Sequence, residues 1–258
     1  MPSSVDLNSD LGESFGVWRL GDDEALLPQI TSANVACGFH GGDPRVMQRT
    51  VGEAKRLGVG IGAHPGFPDL VGFGRRNLAV TPDEVYTDTL YQIGALHAFC
   101  QAQGAALQHV KPHGQLNNMA FRDRAMAQAL ASAIGDFSRD LILVAYGGEL
   151  LRAGEELGLR IGHEVYADRA YRPDGSLVPR SEPGAVIEDG AKVAERAVQM
   201  VLQGGVESCT GAWLRLQVDT ICLHGDTPGA ARLAATVRQA LEAAGVALKP
   251  LAEVLAGR

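Results

Sequence analysis

Val5-Asp-Leu-Asn-Ser-Asp-Leu-Gly-Glu13 is the stretch whose reading decides the fold. Apolar and polar residues alternate at its start, so Val5 and Leu7 point to one face of a strand and Asp6 and Asn8 to the other. Three carboxylates, Asp6, Asp10 and Glu13, then fall within these nine residues. That is more charge than a solvated edge strand needs. A polar first strand ending in a turn at Leu11-Gly12 explains the segment taken alone. The pattern gains meaning because later strands also end in His, Asp, Asn or Lys rather than in plain turn residues.

Working outward, residues 31–37, 59–64, 107–111, 140–146, 159–167 and 218–224 read as six further strands. Helices alternate with them. Asp22 caps a short one that stops near Pro28. Asp43-Pro44 starts one that Gly58 closes, and Thr81-Pro-Asp-Glu84 forms a capping box for a long one ending at Gly104. Others are expected over 121–134, from Gly147-Gly148 to Leu157, over 189–202, and from a cap at Thr227-Pro228 to Gly245. Residues 65–79 and 168–184 read as long loops, 213–217 as an extra β segment, and 246–258 as a tail without an assignment. Strict alternation predicts a parallel sheet covered by helices. Polar clusters follow the strands at Asp10, His40, His64, Lys111/His113, Asp168/Arg169 and His224/Asp226. An open doubly wound sheet would scatter them along an edge, whereas a barrel gathers them at one mouth. The expected fold is therefore α/β, a seven-stranded parallel β/α barrel, as a single domain over 1–258.

Composition narrows the partners. The 258 residues are 46% hydrophobic, enough for a large core, and no apolar run is long enough to span a membrane. A net charge of −7 argues against nucleic acid or an anionic membrane as the main partner. Self-association is compatible with this composition. Lysine occurs only at 55, 111, 192 and 249, which makes Lys111, beside His113, conspicuous. Met-Pro-Ser-Ser leads straight into the first strand, so no signal peptide is expected. Cys37, Cys100, Cys209 and Cys222 show no Cys-x-x-Cys spacing and read as reduced thiols of a cytoplasmic protein.

Chemistry is concentrated in the histidines. His97 falls in a helix stripe and His109 and His163 lie within strands, where packing or a hydrogen bond is the simpler role. His40, His64, His113 and His224 each follow a strand beside Gly or Pro, which permits close approach of backbone or substrate. Two uses compete. Asp10, His64 and His113 could hold a divalent transition metal. Alternatively, Asp10, His40, His64, Lys111 and His113 act as general acids and bases around a substrate held by Lys111 and Arg169. Asn8, Glu13, Asp168, Arg169, His224 and Asp226 complete the mouth as substrate contacts. Cys37 reads as a buried small side chain, and Ser9 and Ser14 lack a nucleophile-elbow context. No phosphate-binding P-loop or dinucleotide fingerprint occurs.

The same clusters carry a resemblance. Asp6-Leu-Asn-Ser-Asp-Leu-Gly-Glu-Ser-Phe-Gly16, Asn34-Val-Ala-Cys-Gly-Phe-His-Gly-Gly-Asp-Pro44, Gly62-Ala-His-Pro-Gly-Phe-Pro-Asp69, Gly72-Phe-Gly-Arg-Arg76, Lys111-Pro-His-Gly114, Glu164-Val-Tyr-Ala-Asp-Arg-Ala-Tyr171 and His224-Gly-Asp-Thr-Pro228 resemble, in order, the LamB/YcsF family of 5-oxoprolinase A subunits. The resemblance implies a seven-stranded β/α barrel akin to glycoside hydrolase and deacetylase barrels. It also implies ATP-dependent opening of the lactam 5-oxoproline (pyroglutamate) to L-glutamate, with magnesium and with partner subunits B and C. The ATP site could lie on those partners. Ser9 departs from the cysteine frequent in the family, which weakens any thiol role there. A more distant similarity to deacetylase-like barrels implies Asp10 as the leading acid, with His64 and His113 as its metal-binding companions. The alternatives are a metal-dependent amidohydrolase or deacetylase acting on another substrate, and a non-catalytic subunit that only binds the lactam.

Overall fold

In the computed structural model, which describes residues 4–226 and 229–257, the opening stretch forms β1 (Ser4–Leu11), buried along nearly all its length. The chain continues through α1 (Asp23–Leu26), β2 (Ser32–Ala36), α2 (Pro44–Leu57), β3 (Gly60–His64), α3 (Pro82–Ala102), β4 (Leu107–Val110), α4 (Gly114–Ala120) and α5 (Arg124–Phe137). Then come β5 (Ile142–Ala145), α6 (Gly148–Glu156), β6 (Arg160–Tyr166), α7 (Gly190–Gln203), β7 (Gly205–Glu207), β8 (Trp213–Arg215), β9 (Thr220–Leu223), α8 (Ala230–Ala243), β10 (Ala247–Leu248) and α9 (Leu251–Ala256). Strands β1 to β6 pair in sequence order, all parallel. β9 pairs in parallel with both β6 and β1 and so closes a seven-stranded barrel. The expected single-domain β/α barrel is the fold observed.

Closure explains the alternation in β1. Val5, Leu7 and Leu11 join the apolar layer between sheet and helices. Asp6, Asn8 and Asp10 face the lumen, so the polar face of the strand meets other strands rather than solvent. Asp6 accepts hydrogen bonds from Thr31 Oγ1 (2.7 Å) and Thr220 Oγ1 (2.5 Å). Asn8 Nδ2 donates to Thr220 Oγ1 (2.6 Å) and Glu164 Oε1 (3.1 Å), and Asn34 Nδ2 donates to Asn8 Oδ1 (2.7 Å). His109 Nε2 lies 2.7 Å from Asn34 Oδ1, so this mid-strand histidine does serve a hydrogen bond. His163 is half-buried in β6, its backbone N–H donating to Asp219. His97 is exposed beside the stripe rather than within it, its ring edge-on to Phe137.

The local helix signals hold. Asp43 caps α2 ahead of Pro44, and Gly58 ends it in a left-handed conformation. Thr81 and Glu84 form the reciprocal capping box of α3. The expected cap at Thr227-Pro228 lies outside the described residues. Three elements depart from expectation. The segment after Pro112 forms α4, with only Leu116, Asn117 and Ala120 buried, too few positions for a visible period. The β segment at 213–217 is half of a hairpin, paired antiparallel with β7. The unassigned tail adds β10 beside β1 and then α9, whose Leu251 packs on Ile142 and Val144. Leu251 N and Ala252 N donate to Ser32 and Gln108, near the N-terminal ends of β2 and β4. The tail thus stoppers the barrel end opposite the strand C-termini. Cys37, Cys100 and Cys222 are buried, Cys209 is exposed, and all four are free. Among the described residues no helix is long and apolar enough to cross a membrane.

Burial pushes the Asp6 carboxyl up to about 6, against the hydrogen bonds from Thr220 and Thr31. The unfolded chain releases this proton near 3.8, so the folded chain holds the excess proton between those values. The contribution of Asp6 to stability is full below the unfolded value and is lost as pH rises through the folded one. Denaturant unfolding of wild type and Asp6→Asn at about pH 4 and about pH 7 should show wild type losing about 2 to 3 kcal/mol more than the variant between the two. Parallel losses would mean that folding does not raise the Asp6 carboxyl.

Candidate active site

The C-terminal ends of the strands open into a cavity of about 1100 Å³, lined by Asp10, His64, Lys111, His113, Tyr166 and His224 among others. Asp10 ends β1, His64 ends β3, and Lys111 and His113 flank Pro112 after β4. Proline interrupts the strand there and turns the chain into α4, before which His113 is the capping residue.

At the floor Lys111, only 2% exposed, is clasped by acids from other strands. Its Nζ is 2.7 Å from Asp10 Oδ1 and 3.2 Å from Glu164 Oε1, and it donates to Cys222 Sγ at 3.0 Å. Burial disfavours the ammonium, but Asp10, Cys222 and Glu164 outweigh it and hold Lys111 well above its ordinary value. Burial likewise opposes charge on Asp10, yet His64 and Lys111 keep its carboxyl well below the usual range. Asp10 also accepts from Asn34 Nδ2 (2.9 Å) and lies 3.4 Å from His64 Nε2. An ionised carboxylate beside an ammonium and an imidazole, open to a cavity, can accept a proton from a bound water.

On one side of this pair the imidazoles converge. His113 Nδ1 is 3.0 Å from His64 Nε2, and the His40 ring lies parallel on His113 with centroids 3.7 Å apart. Glu13 Oε1 is 3.3 Å from His40 Nε2 and 3.6 Å from His113 Nδ1. Burial, then neighbouring imidazoles, hold His40 and His113 well below the ordinary histidine value. Burial, reinforced by Asp10 and Asp226, pushes Glu13 well above the usual carboxylate range. Glycine makes room for the rings, as the sequence suggested. A Cβ on Gly66 would stand 2.5 Å from His40 Nδ1, and one on Gly74 would stand 2.8 Å from His40 Cβ and 2.9 Å from His113 Cδ2.

On the other side His224 Nδ1 meets Asp168 Oδ2 at 2.8 Å, and His224 stacks on Tyr166. Burial opposes the Asp168 charge, but His224 draws its carboxyl below the usual value. Two expected substrate contacts are engaged within the protein. Arg169 is buried and donates to the carbonyls of Val178 (2.7 Å) and Ala185 (3.3 Å), pinning its own loop. Asp226 pairs with Arg75 at 2.7 Å on the rim. Arg75, Arg122 and Arg180 line the cavity with exposed guanidinium groups. Asn8 lies below the mouth, bonded to Glu164. Cys37 is buried, pushed up to about 12 by burial, in keeping with a packing role.

Sequence reading missed Glu164, Tyr166, Asn34 and Cys222. Glu164 accepts from Tyr166 Oη (2.5 Å) as well as from Asn8, and it partners Lys111. The available signal was the parity of Glu164, Tyr166 and Asp168, which share a face of β6 and its extension.

The LamB/YcsF family matches residues 5–256. The A subunit of the 5-oxoprolinase of Pyrococcus abyssi is 54% identical over 252 residues, covering 97% of this chain and 99% of that one. The corresponding A subunit from Geobacillus thermodenitrificans is 52% identical over 249 residues, covering 96% of this chain and 97% of its own. The crystal structure of a lactam utilization protein from Thermus thermophilus superposes with a TM-score of 0.91 at 49% identity, covering 95% of this chain and 99% of that one. Barrel, mouth and sequence agree: the chain belongs to the LamB/YcsF family.

Proposed function

We propose that this chain is the lactam-opening subunit of a cytoplasmic, ATP-dependent 5-oxoprolinase, converting 5-oxoproline to L-glutamate together with partner subunits B and C. The observation that carries the reading is the ionised Asp10, set between Lys111 and His64 at the floor of an open mouth. The near full-length similarity to 5-oxoprolinase A subunits supplies the substrate.

A five-membered lactam is resonance-stabilised, and water attacks it slowly. Transfer of the γ-phosphoryl group of ATP, carried with magnesium, to the carbonyl oxygen releases ADP and makes the ring carbon electrophilic. Water adds to that carbon and gives up a proton. The ring nitrogen gains a proton and departs, leaving an acyl phosphate that a second water hydrolyses to glutamate and phosphate. In this scheme Asp10 accepts the first water's proton, and His224, which lines the cavity with Asp168 behind its Nδ1, returns one to the ring nitrogen. Lys111 holds Asp10 ionised and stabilises negative charge developing on the reacting oxygens. Arg122 and Arg180 offer guanidinium groups to the substrate carboxylate or the phosphoryl group. A cavity of about 1100 Å³ exceeds what the lactam alone fills, so there is room for a phosphoryl donor or a partner's segment.

Two measurements test the proposal. Glutamate formation and ADP release should be absent for the isolated chain with ATP and magnesium, and should appear when subunits B and C are added. Robust turnover by the chain alone would place a nucleotide site in this barrel; none in the full mixture would remove 5-oxoproline as the substrate. In the complete assembly, Asp10→Asn should lower kcat by about 10²- to 10⁴-fold. The change in 5-oxoproline affinity should stay within about threefold, because Lys111 keeps Glu164 as a partner. Undiminished turnover would leave this chain a substrate-binding role only.

A further inference from the structure

The arrangement of His64 and His113 needs a cation between them. His64 Nδ1 is 2.7 Å from the carbonyl of Lys111, and His113 Nε2 is 2.8 Å from the carbonyl of Phe73. A carbonyl can only accept, so both of these nitrogens carry the hydrogen. The remaining nitrogens, His64 Nε2 and His113 Nδ1, therefore present lone pairs to each other across 3.0 Å. Two further groups converge on the same point. Glu13 Oε1 is buried and makes no well-aligned hydrogen bond, its nearest neighbours being His40 Nε2 at 3.3 Å and His113 Nδ1 at 3.6 Å, and the fully buried His40 makes none through either ring nitrogen. The four donor atoms lie within 4.8 Å of one another. A single proton between the two imidazoles would satisfy that pair and leave Glu13 and His40 as they are. A multivalent cation would satisfy the whole group.

We propose that His64 Nε2, His113 Nδ1 and Glu13, with His40 adjoining as a fourth donor, form a binding site for one divalent transition-metal ion. Imidazole with one carboxylate is the donor chemistry of zinc, manganese or cobalt rather than of calcium or magnesium. Two nitrogen ligands at right angles on an ion with bonds of about 2.1 Å stand about 3.0 Å apart, the separation found here. The carbonyls behind His64 and His113 fix ring orientation and tautomer as outer partners of metal ligands do. One of them comes at a conformational cost. Phe73 is the one non-glycine residue among the described residues with a positive φ, +54°, and its carbonyl is the one aimed at His113.

The set is not the Asp10–His64–His113 triad that the deacetylase-like resemblance implies. Asp10 already carries the Lys111 ammonium at 2.7 Å, so its charge is matched. The same ammonium meets Cys222 and so disfavours a second cation among Asp10, Cys222 and His224. The inference does not rest on 5-oxoproline being the substrate, since metal content is read without any turnover.

The test is metal content and affinity of the full chain. Protein purified without chelator, then stripped and titrated with Zn²⁺, Mn²⁺ or Co²⁺, should bind about one ion per chain, with Co²⁺ giving ligand-field absorption bands of an imidazole site. Glu13→Gln, His64→Ala and His113→Ala should each weaken binding by about 100-fold or more, while Asp10→Asn changes it by less than about threefold. Circular dichroism of each stripped protein separates loss of the site from loss of the fold. A folded wild-type chain that binds none of the three ions stoichiometrically would overturn the proposal and leave a shared proton between the imidazoles. Loss of binding in Asp10→Asn with retention in Glu13→Gln would overturn the ligand set.

Discussion

A lysine ammonium sealed inside a protein is tolerable only if acids meet it there, and this constraint organises the barrel. Lys111 follows β4, Asp10 ends β1, Glu164 lies on β6 and Cys222 on β9. Non-adjacent strands of the barrel are thus tied to one charge. Removing the lysine would leave buried carboxylates uncompensated, a penalty of about 3 to 5 kcal/mol. The lumen beneath continues in the same manner, with Asn8, Asn34, His109, Asp6, Thr31 and Thr220 joined in one hydrogen-bonded set. Barrels of this kind are more often filled by branched aliphatic side chains. Here polar filling positions the floor of the mouth directly, because Asp10 is bonded to Asn34 and Lys111 is paired with Glu164.

The mouth is divided by charge. Asp10 and Glu13 are three residues apart, yet one carboxylate faces an ammonium and the other faces imidazoles. Their environments push them in opposite directions, Asp10 toward the ionised form and Glu13 toward the protonated one in the absence of a cation. A sharp turn at Gly12, with φ of +69°, makes this separation possible by redirecting the chain immediately after β1. Across the cavity, Asp168 and His224 form a second polar pair stacked on Tyr166. The opening thus holds two electrostatically distinct neighbourhoods.

Much was legible in the sequence because its signals are local or periodic. Asp43-Pro44 with Gly58, and Thr81 with Glu84, declare their helices within a few residues. The repeated sequence of strand followed by polar cluster implied closure before any contact was known. Asp10, His64, Lys111 and His113 were identified because each lies at or just past the C-terminal end of a strand, close to a chain-turning residue. Short or weakly patterned pieces stayed hidden: α4 buries too few side chains to show a period, and α9 is helical because the barrel floor offers Ile142 and Val144 to cover.

The sequence by itself therefore determined the alternation, the capped ends of α2 and α3 and the family of residues at the strand ends, all of which depend on neighbours a few positions away. Only the tertiary structure decided which polar residues meet. Glu164 reads as an ordinary mid-strand acid until the sheet curls and sets it, on the next strand but one from β4, 3.2 Å from Lys111. Arg169 reads as a free cation at the mouth until its loop folds back and takes up its hydrogen bonds. His40 reads as one more loop histidine until Gly66 and Gly74 let its ring lie on His113. Partnership across a barrel depends on register and closure, which bring residues distant in sequence into contact.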